Sequence, residues 1–314
     1  MILKPKRMKL PKGGLYILLS FFSIYVIWGS TYLLNKILVG QLAPLYAASI
    51  RFITASILIF SIAKILRIPL KISKPQIQNT VIAGFLFLTL GNGLVVWALK
   101  FVDSGFAALE ISAQPLVVLI LLRILQGKKI QPMSFFGVII GCIGIYLLVS
   151  QKEMIAQEGM VLGMIMIFIC MLSWAYGSLF VAKANLPSNF FVNTGYQMLF
   201  GGAMLLMASF AIGEEHLAFS NWNTDVTYSM LALIVFGSIV AFTAFNYLLS
   251  MVSPEKVATS TYVNPIVALI LGWYFLNETI STQSIIAAAV LLTGVYFINT
   301  KKVIPLFKQF KKRS

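Results

Sequence analysis

The chain has 314 residues, of which 59% are hydrophobic and only 11% are charged. Globular chains are about half apolar and about a quarter charged, so this composition indicates a polytopic membrane protein with no room for a separate soluble domain. The formal net charge of +15 would suit nucleic acid as a partner, but its meaning depends on where the cations lie.

Ten apolar segments are long enough to cross a membrane core of about 30 Å, which takes about 20 helical residues. In chain order they cover residues 15–36, 45–66, 78–99, 104–125, 133–150, 160–183, 190–212, 228–250, 254–276 and 281–300. The first segment follows a basic N-terminus, yet no small-residue cleavage pattern comes after it. We therefore predict an uncleaved first helix rather than a signal peptide.

The cations lie almost entirely on one side of these helices. If the N-terminus is cytoplasmic, twenty of the 24 Lys and Arg residues fall on the cytoplasmic side, three fall outside, and Arg51 lies within a helix. Cytoplasmic loops carry such an excess, so we predict that both termini are cytoplasmic. The basic charge is then a topology signal that also attracts anionic lipid headgroups, and nucleic acid is not expected as a partner.

The segment around Pro115 occurs twice. Residues 113–121 match residues 263–271 without a gap, and the same register pairs Gly144 with Gly294. A period this long indicates two homologous halves, and five helices in each half would invert the second. We predict an all-α fold of ten transmembrane helices in two inverted five-helix repeats (5+5). The first repeat covers 1–150 with a basic cytoplasmic N-terminal tail, and the second covers 151–314 with a basic C-terminal tail.

Several short motifs carry a family resemblance. In chain order they are Trp28-Gly29-Ser30-Thr31, Gly91-Asn92-Gly93, Trp174-Ala175 and Asn277-Glu278-Thr279-Ile280. With them the chain resembles the EamA family of the drug/metabolite transporter superfamily over about residues 15–300. The resemblance implies a 5+5 transporter of a bacterial inner membrane, with a central cavity and alternating access, that exports amino acids or other small metabolites. Two positions depart from the family: Lys128-Lys129 where many members carry glutamate, and Glu110 where members are mostly apolar.

The two aligned prolines predict helix kinks. Pro115 and Pro265 each remove a backbone donor and clash with the preceding turn, and the freed carbonyls need partners in a membrane. These kinks either line the cavity or only shape helix packing. The neighbouring amides, Gln114 and Asn264, either satisfy the backbone or contact substrate.

Polar and aromatic residues form one stripe on the first helix and another on the eighth. Such stripes either face a cavity or hold helices together. Trp28 and Trp174 are the stronger cavity candidates because neither lies at a helix end, where an interfacial belt would explain it. The predicted substrate-binding residues are Trp28, Thr31, Asn35, Asn92, Glu110, Gln114, Trp174, Asn246, Tyr247 and Asn264.

Two charged residues, Arg51 and Glu110, lie within helices, where charge is costly and is a functional hypothesis by default. Both lie six residues inside segments that start on the outer side, which is about 9 Å deep at 1.5 Å per residue. They either form an ion pair, or Arg51 extends outward and Glu110 alone faces the cavity. As the one carboxylate within the helices, Glu110 is the candidate proton-coupling group.

The sequence does not offer the residues that an intramembrane protease, a retinal protein or an ATPase would need. The single histidine, His216, falls in a loop, no helix interior near the C-terminus offers a Schiff-base lysine, and no phosphate-binding loop is present. Cys142 and Cys170 fall within helices, so no disulfide or zinc site is expected.

We predict a non-enzymatic, cofactor-free exporter whose partners are a small-molecule substrate and membrane lipid, and a monomer is consistent with the sequence. The alternatives are an exporter of toxic cations or drugs and a non-transporting scaffold or sensor.

Overall fold

The computed structural model describes residues 14–127, 130–151 and 158–299, and every regular element in these ranges is a helix. The predicted basic tails, Lys128-Lys129 and Lys152 lie outside the described residues. The helices are α1 (Gly14–Val39), α2 (Pro44–Ile65), α3 (Lys74–Ala98), α4 (Ser104–Gln126), α5 (Pro132–Val149), α6 (Met160–Val181), α7 (Phe190–Ala211), α8 (Thr224–Met251), α9 (Pro254–Val257, Ala258–Tyr262 and Asn264–Leu276) and α10 (Thr282–Asn299).

Seven of these helices, α1 to α6 and α8, are long and apolar enough to cross a membrane. In α9 and α10 the apolar stretches are shorter, at Ser260–Leu276 and Thr282–Ile298. Helix α7 has 22 residues but buries the polar side chains of Asn193, Thr194 and Gln197. The protein is therefore a polytopic helical membrane protein, and its helix ends fall close to those predicted.

Local sequence explains where the helices begin and end. Ser73 and Gln76 form a capping box at the start of α3, and Pro44 occupies the first turn of α2, where its missing N–H costs nothing. Helices α4 and α9 end at left-handed residues, Gly127 with φ 64° and Asn277 with φ 54°. Glycine and asparagine tolerate this conformation best, and the two positions correspond in the sequence repeat.

Three helices contain a stretch of π-helix: Ser23–Ile27 in α1, Phe85–Asn92 in α3 and Leu233–Val240 in α8. A π turn shifts the hydrogen-bond ladder by one residue and leaves carbonyl groups open to other donors, and such turns are frequent at functional sites. The stretches in α3 and α8 contribute Leu88, Asn92 and Gly237 to a central cavity, and the stretch in α1 ends just before Trp28, which lines the same cavity.

Helices α4 and α9 are interrupted. The first segment of α4 ends at Ile111 and the second begins at Gln114, while α9 passes through a 3₁₀ stretch before resuming at Asn264. Pro115 and Pro265 each lie in the first turn of the resumed helix, where proline is well accommodated. The chain therefore breaks just before each proline.

Equivalent helices of the two sequence halves pack against each other. Helix α5 lies along α10, α2 lies along α7, and the contact of α3 with α6 is matched by that of α8 with α1. Between α5 and α10 the backbones touch: a β-carbon on Gly294 would lie 2.5 Å from the Gly141 nitrogen and 2.7 Å from the Gly137 oxygen. Small residues permit this close approach between membrane helices.

Candidate functional site

A cavity of about 110 Å³ lies at the centre of the bundle, between α1, α2, α3, α4, α6, α8 and α9. One water needs roughly 10–15 Å³ of such space, so the cavity has room for a small organic molecule. Among the predicted site residues it is lined by Trp28, Thr31, Asn35, Arg51, Asn92, Gln114, Trp174 and Asn264. Glu110, Asn246 and Tyr247 do not line it.

One wall of the cavity is aromatic. The ring centroids of Trp28 and Trp174 are 5.6 Å apart in an edge-to-face arrangement, and Phe245 lies 5.1 Å from Trp28 and 5.2 Å from Trp174. The indole N–H of Trp28 donates to the Gly237 carbonyl at 3.2 Å, within the π stretch of α8. The π turn thus provides the acceptor that fixes this ring.

A second part of the cavity wall is polar and continues along the α1 face that carries Trp28. The hydroxyl of Thr31 donates to the Trp28 carbonyl at 2.7 Å, and the amide nitrogen of Asn35 donates to the Thr31 carbonyl at 2.7 Å. The side-chain oxygen of Asn35 is thereby turned towards Arg51, whose Nη1 lies 3.5 Å away. The Arg51 Nε donates to the Ser238 hydroxyl of α8 at 2.8 Å.

The amides that precede the two prolines make related contacts. Gln114 donates to the Met171 carbonyl of α6 at 3.0 Å. With its amide turned so that the nitrogen faces the α1 carbonyls, Asn264 donates to Tyr25 at 2.7 Å and to Ile24 at 3.1 Å. Each amide therefore binds the first helix of the other half at the level of the cavity. The side-chain oxygen of Asn92 is buried with no hydrogen-bond partner among the described residues.

The predicted ion pair between Arg51 and Glu110 does not form in the described part of the chain. Arg51 binds Ser238 and Asn35, whereas Glu110 is 4% exposed and its Oε2 has no hydrogen-bond partner among the residues that the structure describes. Two side chains at the same depth on different helices meet only if both helices turn them towards each other. Arg51 is among the residues that line the cavity, and Glu110 is not.

Two predicted site residues of α8, Asn246 and Tyr247, lie outside the cavity. Asn246 packs α8 against α7, and Tyr247 faces away from the cavity. The Asn246 amide donates to Thr194 at 3.1 Å and to Gln197 at 3.3 Å, and its oxygen accepts from Asn193 at 3.3 Å. Tyr247 borders a separate groove formed by α1, the start of α7 and α8. The cavity face of α8 instead carries Phe242 and Phe245, which sequence reasoning missed although their i, i+3 spacing places them on one face.

Replacing Asn246 with alanine is expected to lower the stability of the folded protein by about 1–2 kcal/mol, because three buried partners lose their hydrogen bonds in an apolar surrounding. Thermal unfolding in detergent, followed by gel filtration, measures this effect. Tyr247→Phe is the matched control, since it keeps the ring in the neighbouring groove. Equal unfolding temperatures for the two variants would contradict a packing role for Asn246.

One end of the bundle carries Asp103, Glu214 and Glu278, and we call it the acidic end. Glu278 accepts hydrogen bonds from the Ser104 amide at 2.8 Å, the Ser104 hydroxyl at 2.9 Å and the Gly105 amide at 3.1 Å. It therefore caps the start of α4, where the helix dipole favours a negative charge.

Glu214 caps α2 at the same end, accepting from the Leu45 amide at 3.1 Å and the Tyr46 amide at 2.8 Å. Lys36 donates to the Leu99 and Val102 carbonyls, both at 2.8 Å. Burial raises the pKa of Asp103, the negative charge of Glu278 adds to the rise, and Lys36 opposes it.

The cavity is closed towards the acidic end and extends towards the other. Leu38, Leu99 and Val102 are fully buried beside the bonds made by Lys36. In the other direction the cavity reaches Pro254 and Val257, at the start of α9. The lining residues therefore reach towards the start of α9 and stop short of the acidic end.

A central cavity bordered by broken helices, inside a bundle of membrane-spanning helices, is the arrangement of a membrane transporter. The chain belongs to the EamA-like transporter family, whose model matches residues 13–150 and 161–300. It is similar to the uncharacterized inner membrane transporter YedA of Escherichia coli K12, with 34% identity over 90% of each chain. It is also similar to the uncharacterized transporter YoaV of Bacillus subtilis 168, with 22% identity over 90% of this chain and 96% of that one. A crystal structure with 16% identity shares the fold, with a TM-score of 0.66 over 90% of this chain and 96% of its own.

Proposed function

We propose that this membrane transporter exports small metabolites, in particular amino acids or related amphipathic compounds, from a bacterial cytoplasm across the inner membrane. The observation that carries the proposal is the central cavity, which joins an aromatic wall of Trp28, Trp174 and Phe245 to the polar groups of Asn35 and Arg51. A molecule with an apolar body and a polar head matches both walls. A transporter that works by alternating access closes its cavity to one side of the membrane at a time, and here the cavity is closed towards the acidic end.

We further propose that ten transmembrane helices form two inverted five-helix repeats. In support, Gly127 and Asn277 end equivalent helices in the left-handed conformation, and Gln114 and Asn264 each bind the first helix of the opposite half. The positive-inside bias then places the acidic end outside and both termini in the cytoplasm. Under this orientation the cavity extends towards the cytoplasm, ready to receive a substrate for export.

The proposal is tested by uptake into proteoliposomes that contain the purified protein. The panel holds labelled amino acids, nucleosides and an aromatic quaternary ammonium compound, each with and without an imposed pH gradient. Saturable uptake of amino acids is the expected result. Uptake of the quaternary compound alone would favour an exporter of toxic cations, which an aromatic wall can also bind. A lack of saturable uptake across the panel would contradict transport of these classes.

Trp28→Ala and Trp174→Ala are expected to fold and insert but to weaken substrate uptake about tenfold or more, since each removes one ring of the aromatic wall. Saturation kinetics in proteoliposomes measures the loss. Trp273→Ala is the matched control, because Trp273 is 58% exposed on the outer surface of α9. Equal kinetics in all three variants would exclude the aromatic wall as a substrate contact.

We propose that Glu110 carries the coupled proton, so Glu110→Gln is expected to remove the response of uptake to a pH gradient while leaving uptake itself measurable. The carboxyl group is buried within α4 and its Oε2 has no partner among the described residues, so it is free to gain or lose a proton during transport. Accumulation is measured in the presence and absence of the gradient. A variant that transports and still responds fully to the gradient would disprove this role.

A further inference from the structure

Arg51 is a buried cation at the wall of the cavity. Its side chain is 2% exposed and lines the cavity from α2. Its hydrogen-bond partners are neutral, namely the Ser238 hydroxyl and the Asn35 side-chain oxygen. Its guanidinium carbon lies 4.8 Å from the ring centre of Phe52. Within the part of the chain that the structure describes, no carboxylate pairs with it.

A charge buried within a membrane protein is costly unless an opposite charge or strong hydrogen bonds compensate it. A guanidinium has five N–H donors, and Arg51 uses Nε at 2.8 Å and Nη1 at the long distance of 3.5 Å. The donors that remain form a planar fork that fits the two oxygens of one carboxylate. An anionic group that enters the cavity beside Arg51 can therefore compensate this charge.

The surrounding residues indicate which anion fits. Arg51 is the one charged side chain among the described residues that line the cavity, so a single negative charge matches it better than the two charges of a phosphate ester. The absence of a carboxylate among these lining residues leaves an ammonium group with only amide oxygens and aromatic faces. Trp28 and Phe245 provide an apolar surface on the same cavity.

We propose that Arg51 binds the carboxylate of the transported molecule, so that the protein selects small organic monocarboxylates with an apolar or aromatic body over amines that lack a carboxylate. Asn35 and Ser238 position the guanidinium from α1 and α8. Gly237 leaves the space for it, because a β-carbon there would lie 3.0 Å from the Arg51 Nη2. This inference rests on the proposed transport function and specifies the substrate class of the same site.

The test uses purified full-length protein in lipid nanodiscs and follows tryptophan fluorescence, since Trp28 and Trp174 border the cavity. Three matched probes are titrated: 3-phenylpropanoate, its amide 3-phenylpropanamide, and phenethylamine. The carboxylate is expected to bind about tenfold or more tightly than either of the others, because only it forms a charge-assisted pair. Equal affinities, or a preference for the amine, would overturn the proposal without any variant.

Arg51→Gln is expected to reduce the affinity for 3-phenylpropanoate to that of the amide, and Arg51→Lys to retain part of the preference because it keeps the charge. Lys183→Gln is the control, since Lys183 is exposed and does not line the cavity. A carboxylate preference that survives in Arg51→Gln would overturn the assignment to this residue.

Uptake assays separate this inference from the proposed function. Saturable uptake of neutral or cationic compounds, with none of monocarboxylates, would keep the protein a transporter and overturn the substrate class proposed here. Saturable uptake of monocarboxylates that is lost in Arg51→Gln, but not in Lys183→Gln, would support both.

Discussion

Glu278→Ala is expected to open the acidic end of the bundle and to expose the cavity from that side. The carboxylate accepts three hydrogen bonds from Ser104 and Gly105 at the start of α4, and hydrogen bonds to a charged group are stronger than neutral ones. Because water partly replaces these hydrogen bonds in the variant, we expect the closed form to lose about 2 kcal/mol of stability relative to the open form. A change of this size shifts the ratio of open to closed forms about thirtyfold.

Cys170 provides a native reporter for this change, because it lines the cavity. In a Cys142→Ser background, a membrane-impermeant methanethiosulfonate is added from the acidic side, and the rate of Cys170 modification is measured. The rate should rise about tenfold or more in Glu278→Ala, and net transport should fall because closure is part of the cycle. Glu215→Ala, which alters an exposed carboxylate of another loop at the same end, should leave the rate unchanged. Identical rates in both variants would show that Glu278 does not hold this end closed.

Gly294→Leu is expected to prevent stable packing of α10 on α5. A β-carbon at this position already falls within 2.7 Å of the Gly137 and Gly141 backbones, so a leucine side chain forces the two helices apart. Overpacking a close contact typically costs about 1–3 kcal/mol, and we expect the upper part of that range or more, since neither backbone can yield as a side chain would.

Thermal unfolding in detergent and the yield of monodisperse protein measure the effect of Gly294→Leu. Thr293→Leu is the matched control, because the neighbouring Thr293 is exposed on the same helix. A normal unfolding temperature for Gly294→Leu would mean that the contact of α5 with α10 is looser than the structure shows. If both variants unfolded at the same lowered temperature, the loss of stability would come from introducing a leucine into α10 rather than from the close contact at Gly294.

The sequence by itself predicted the polytopic helical class, the family and nearly every helix end. These features are local: an apolar run of the right length must be helical in a membrane because no water can satisfy its backbone. Proline, glycine and asparagine then mark where a helix starts or stops, as at Pro115, Gly127 and Asn277. The sequence match at a spacing of 150 residues also indicated, from the sequence alone, that the two halves are related.

The tertiary structure alone decided which direction each side chain faces. Arg51 and Glu110 lie at equal predicted depth, yet Arg51 lines the cavity and Glu110 does not. Asn246 belongs to a packing network with α7, whereas Phe242 and Phe245 of the same helix line the cavity. Helical spacing fixes which residues share a face, but the π turns in α1, α3 and α8 and the rotation of each helix in the bundle determine what that face meets. Such rotation depends on long-range packing, which no local pattern of residues encodes.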